Sequence, residues 1–176
     1  MRFELKSISQ QAIPEALAKA ERYRLLNEPA LAESICLDIL TIAPEQQQAL
    51  ISLLLARTDQ FHSNVNAKAA QDVLARIKGD FDRAYYAGII WERLGNARIR
   101  QGSSQSAAGA YHALRAAMDH YEEAIKVAPP GNDDAILRWN TCARTIMQDR
   151  DIQALPDEEP ADAWLHDEAG SRIADA

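Results

Sequence analysis

The sequence predicts an all-α fold of successive helical hairpins, and three observations carry that expectation. Ala, Leu, Glu, Arg and Gln are abundant while Val and Phe are scarce. The abundant residues lose little rotamer freedom in a helix, whereas the scarce ones suit a pleated sheet. Apolar side chains also recur at intervals of three and four, the period of a single helix face. Finally, proline punctuates the chain between those periodic stretches, at Pro29, Pro44 and Pro129-Pro130, where a missing amide donor stops one helix or starts the next.

Residues 1–10 read as an irregular lead in which Ser7 or Ser9 can accept from the first free amides of a helix. Ile13, Leu17, Ala20 and Tyr23 then mark a helix over about 12–26, with charged residues between them. Asn27-Glu28-Pro29 ends it and opens a second helix, because proline fits only the first helical turn. That helix carries Ala32, Ile35, Cys36, Ile39 and Leu40 on one stripe and ends near Pro44. A third helix, about 45–60, is densely apolar through Leu50, Ile51, Leu53, Leu54 and Leu55, which predicts burial on more than one side. After a polar loop at 62–66, Ala70, Val73, Leu74 and Ile77 mark a fourth helix ending at Gly79. A fifth runs over about 81–100, and the small, polar stretch QGSSQSAAGA (101–110) reads as a flexible loop. The sixth, about 111–127, has the cleanest period: Leu114, Ala117, Met118, Tyr121, Ala124 and Ile125. Pro129-Pro130-Gly131 ends it. Asn132 is placed to cap a seventh helix reaching Met147, and Asp133 and Asp134 suit the positive end of its dipole.

Short connections between successive helices call for a search for repeats. Trp91, Leu94 and Gly95 are followed by Ala117, Tyr121, Ala124 and Pro129. Ala20 and Tyr23, then Ala32, Cys36, Ile39 and Pro44, give the same skeleton earlier in the chain. Small residues at Ala20, Ala32, Gly95 and Ala117 let paired helices approach closely, and Tyr23, Cys36 and Tyr121 fill the space beside them. Over residues 13–147 this pattern resembles tetratricopeptide-repeat proteins, and the whole chain is similar to small bacterial members of that group. The family repeat is about 34 residues long, and Arg98 stands here where the family usually has an aromatic. Pro44 and Pro129 lie 85 residues apart, more than two such repeats. Part of the excess is expected as a loop insertion at 101–110. The organisation expected is a repeat domain over 11–148: one well-formed repeat (13–46), a degenerate one (47 to about 81), an expanded one (about 82–131) and a helix from Asn132 capping the stack.

The resemblance implies a solenoid whose first helices line a groove for an extended peptide or a helix. By that analogy the groove residues are Leu17, Glu21 and Arg24, then Ile51, Leu55 and Thr58, then Glu92, Asn96 and Ile99, with Ile136, Asn140 and Ala143 on the last helix. One subgroup of the family grips a terminal carboxylate here. Glu21 would repel one, so that mode is not expected. The function implied is a non-enzymatic scaffold or adaptor for a protein or peptide. The alternatives are a secretion-type chaperone for an exported client, whose relatives share this size, and a self-assembling structural protein using Trp139 and the apolar third helix as an interface.

Charge and motif content narrow the function classes. The chain has a net charge of −7, and residues from Asp149 onward carry nine acids against Arg150 and Arg172, so the body is balanced. A neutral body and an acidic tail give nothing to attract a polyanion, so no nucleic-acid partner is expected. The tail, 149–176, reads as an acidic and flexible segment in which Trp164 and Leu165 are potential docking points. No apolar run approaches the roughly 18 residues of a membrane span, and the start lacks the apolar core of a secretory signal. Cys36 and Cys142 lie far apart in helical patterns and read as reduced, packed, cytoplasmic thiols. His112 and His120 are separated by over two turns, about 12 Å, too far for one metal. No His-Glu-x-x-His, Gly-rich phosphate loop or Gly-x-Ser-x-Gly occurs, so neither a catalytic centre nor a cofactor is expected.

Overall fold

A computed structural model of the chain describes residues 3–62, 66–149 and 152. The described residues are all-helical: seven α-helices and no strand. The stretch read as one repeat domain divides into two compact units, Met1–Lys78 and Gly79–Ala176.

In the first unit, a single 3₁₀ turn at Gln10–Ala12 leads into α1 (Ile13–Leu25). The helix ends where Asn27 adopts a left-handed φ of 59°. Glu28 N–H then donates to Tyr23 O and Asn27 N–H to Arg24 O, satisfying carbonyls that the last turn leaves open. Asparagine tolerates that backbone better than most residues, which is why the chain can reverse within three residues. Pro29 sits in the first turn of α2 (Pro29–Ile42). α3 (Gln47–Asp59) begins with Gln46, whose side chain accepts from Gln48 N–H at 3.0 Å. It touches α1, α2 and α4 (Ala67–Leu74), in keeping with its dense apolar run.

α4 stops at Leu74 rather than reaching Gly79. Other bonds claim its continuation: Arg76 donates to Pro44 O at 2.6 Å, and Lys78 N–H donates to Gln47 Oε1 at 2.8 Å. Those tethers turn the chain, and Ile77 is buried as Val73 is, with the core of this unit formed by Ala20, Ala32, Ile39, Leu50, Leu53, Leu54 and Phe61.

The second unit is built on one long hairpin of α5 (Asp80–Gln101) and α6 (Ser104–Lys126), followed by α7 (Asp134–Gln148). Here the structure corrects the expected loop at 101–110. Only Gly102 and Ser103 separate the helices; Gly102 has φ 70°, and Ser103 and Ser106 form a reciprocal capping box. Small residues in QGSSQSAAGA serve close packing rather than flexibility, and Ala108, Gly109 and Ala110 are buried. A side chain added at Gly95 would lie 2.9 Å from Leu114 and 3.3 Å from Ala110 O, so the two helices are nearly in backbone contact. With 22 and 23 residues, α5 and α6 are each nine residues longer than α1 and α2, which have 13 and 14. The extra length between the matched prolines is therefore spent largely on helix.

At α7, the amide oxygen of Asn132 accepts from Asp134 N–H at 3.0 Å, while Asp133 takes the flanking position without a side-chain cap. Of the segment 149–176, only Asp149 and Ile152 are among the described residues. Ile152 is buried, and its N–H donates to Asp149 O. Trp164 and Leu165 lie outside the described residues.

Candidate functional site

The residues expected to pack the repeat are largely interior. Ala20, Ala32, Cys36, Ile39, Trp91, Leu94, Gly95, Ala117, Tyr121 and Ala124 are buried, Tyr23 is half-buried, and Pro44 and Pro129 are exposed at helix ends. The groove residues divide between the units. In the first, Leu17, Arg24, Ile51 and Leu55 are half-buried and Glu21 is exposed. Thr58 is buried, its hydroxyl donating to Leu55 O at 3.0 Å, and offers nothing to a ligand. In the second, Asn96, Ile99, Asn140 and Ala143 are half-buried and Ile136 is exposed. Glu92, expected on the surface, is only 4% exposed.

Two side-chain networks organise the first unit. Arg24, near the end of α1, forms an ion pair with Asp59 at the end of α3 (2.8 Å). Because the ends of both helices meet, α1 and α3 run parallel, with α2 antiparallel to each. Glu33 near the start of α2 accepts from Arg57 Nε at 2.9 Å and from Gln60 Nε2 at 2.7 Å, and Arg57 also donates to Ala69 O. These ties fix the ends of four helices, while Leu17, Ile51 and Leu55 remain accessible on the parallel pair.

The second unit holds a buried polar cluster that the sequence does not announce. Gly88 makes room for it: a Cβ there would come within 2.4 Å of the Tyr121 ring. With the ring seated, the Tyr121 hydroxyl reaches one turn along α5 and donates to Glu92 Oε2 at 2.6 Å. Arg138 on α7 donates to the other oxygen, Oε1, at 3.0 Å. Tyr85 lies beside Tyr121, with ring centroids 5.9 Å apart, and helps to hold Arg138 charged. Phe81 stacks on Tyr85 and Tyr86 meets it edge-on, which continues the aromatic wall. One carboxylate thereby joins all three helices.

The electrostatics suit a structural role. Burial and the neighbouring Glu92 carboxylate hold the Tyr121 phenol far above its usual range, so it stays protonated and donates. Burial alone would lower Arg138, but Glu92 and Tyr85 outweigh it and the guanidinium is held charged. Cys142, one turn beyond Arg138, is pushed up to about 12 by burial and by Glu92. Cys36, in the first unit, is raised to about 11, chiefly by burial. Both thiols are therefore poor nucleophiles at neutral pH. His120 is lowered by burial, against the opposing pull of Asp119 and Glu123. Among the described residues no group of three or more His, Cys, Asp or Glu side chains is gathered as a metal site, and no helix is long and apolar enough to cross a membrane.

Glu92 is thus interior, not in a groove as the sequence predicts, and Arg138 has a role that the sequence leaves unassigned. A signal did exist: Glu92 interrupts an apolar run, with Ile89, Ile90 and Trp91 before it and Leu94 and Gly95 after it. A charge in such a helix has no solvent face to occupy and requires a buried partner. Comparison with protein-family models, with curated proteins and with solved structures finds no match for this chain.

Proposed function

We propose that this chain is a non-enzymatic scaffold or adaptor of tetratricopeptide-like design that takes an extended peptide or a helix on the face shared by α1 and α3. The observation that carries the reading is the parallel α1–α3 pair. Two consecutive first helices lie side by side, tied at one end by Arg24–Asp59, with Leu17, Ile51 and Leu55 only half-buried. Apolar side chains left accessible beside a charge such as Glu21 match the mixed surface that peptide grooves use. The burial of Glu92 fits the non-enzymatic part, because a carboxylate 4% exposed and held by a donor on each oxygen ties helices together and is shielded from a substrate.

A peptide library displayed on phage and selected against the full chain tests this. The expected result is a peptide family whose affinity, by calorimetry, falls about tenfold or more in Leu17→Asp and Leu55→Asp. Because both side chains are half-exposed, helicity should be retained. Selected peptides that bind both variants as tightly as the parent would sink the assignment to this face.

A further inference from the structure

α7 wears its side chains in reverse. Its fully buried positions are the small residues Ala135 and Cys142, and its inward hold on the hairpin is polar, through Arg138 to Glu92 and Trp139 Nε1 to Glu122 at 3.0 Å. Trp139 and Ile146 are half-buried, but three larger apolar side chains face solvent: Ile136, Leu137 and Met147 are 40, 62 and 74% exposed. A helix that ends a stack requires a polar outer face to remain soluble. This one presents apolar residues on its outer side, a surface suited to a partner.

The order of residues on that face identifies the partner. Leu137, Asn140, Arg144 and Met147 follow at intervals of three, four and three, the spacing of a seam between two helices. The pattern is self-complementary when reversed. A second copy turned about a two-fold axis beside position 142 sets Leu137 against Met147 of the partner subunit and Asn140 against Arg144 of the partner subunit. The amide oxygen of Asn140 then accepts from the facing guanidinium. A parallel arrangement would instead oppose Arg144 to its own equivalent, and residues 135–148 contain no acid to neutralise the pair. We propose that α7 is a homodimer interface, pairing antiparallel with α7 of a second copy.

The size of the contact sets its strength. Fifteen residues give a helix about 22 Å long, and a single helix pair of that length buries less than the roughly 1,200 Å² of a standard stable interface. The dimer is therefore a weak one, with dissociation on the micromolar scale.

Sedimentation velocity on the full chain from about 1 to about 200 μM tests the proposal. The expected result is a monomer–dimer equilibrium that Leu137→Asp weakens about tenfold or more, with the circular dichroism spectrum unchanged because Leu137 is solvent-facing. Register is read independently by cysteine pairing. Under mild oxidation, a mixture of Leu137→Cys and Met147→Cys chains should give a linked heterodimer. Neither variant alone should link, since like positions stand about 15 Å apart along the axis. Cys36 and Cys142 do not compete, being buried. A strict monomer across the range, as for a face covered only by a foreign peptide, overturns the proposal. So does self-association indifferent to Leu137→Asp, or linkage between like positions.

Discussion

Glu92 is the residue on which the second unit turns. Tyr121 and Arg138 occupy its two oxygens, and at 4% exposure it cannot recover water if either is lost. Breaking a buried ion pair from one side costs about 3–5 kcal/mol, whereas replacing both partners with apolar groups of similar shape is often neutral. Arg138→Met should therefore destabilise the protein by about 3 kcal/mol, because the carboxylate stays behind with only the tyrosine. Glu92→Ala should cost less on the arginine side, since Arg138 is half-exposed and can be rehydrated, but it strands the buried Tyr121 hydroxyl at about 1–3 kcal/mol. Glu92→Met with Arg138→Met and Tyr121→Phe, which removes all three polar partners together, should recover most of the Arg138→Met loss. Urea unfolding of the parent and the three variants decides it: a triple variant no more stable than Arg138→Met would mean that the cluster contributes through packing rather than charge.

At the scale of elements, the α5–α6 hairpin depends on two glycines that face the same partner helix, but what each meets differs. A methyl group at Gly88 would strike the ring of Tyr121, which is wholly buried and rigid. At Gly95 it would meet Leu114 Cγ at 2.9 Å and the Ala110 carbonyl at 3.3 Å, a clash less severe than the one at Gly88. Alanine gains about 1 kcal/mol of helix propensity over glycine, against about 1–3 kcal/mol for overpacking. Gly88→Ala should accordingly lower the melting temperature further than Gly95→Ala, and of the two it should be the one that disturbs near-ultraviolet tyrosine dichroism. The reverse order would contradict the close approach at Gly88. This hairpin also shows what the sequence could and could not reveal. Periodicity located the helices because burial of one face imposes it, and Pro29 and Pro129 marked breaks because a missing amide is a local fact. QGSSQSAAGA was misread because smallness has two physical meanings, freedom in a loop and closeness between helices. Only the partner helix, with Leu114 and Arg98 lying over Gly95 and Gly109, distinguishes them. For the same reason Glu92 was legible as a helical residue and illegible as a buried one: its partners come from residues 29 and 46 positions away.

Across the whole molecule, both units bury a thiol, and this gives the chain a shared alkaline weakness. Cys36 and Cys142 ionise near 9 when free of the fold, and burial holds them at about 11 and about 12 in it. Below pH 9 both states carry the protons and the thiols leave stability unchanged. Above it the unfolded chain sheds them while the folded chain keeps them. The unfolded state then binds fewer protons, so stability must fall as pH rises, by about 1.4 kcal/mol per pH unit for each group in its window. The Tyr121 phenol, raised in the same direction, adds to the loss in the second unit above its ordinary value of 10. Chemical unfolding followed from pH 7 to about 11 should show stability flat to pH 9 and then declining. Cys36→Ala and Cys142→Ala together should make the decline shallower between 9 and 10, before tyrosine contributes. An equally steep decline in that interval without the thiols would show that their burial does not govern the alkaline limit.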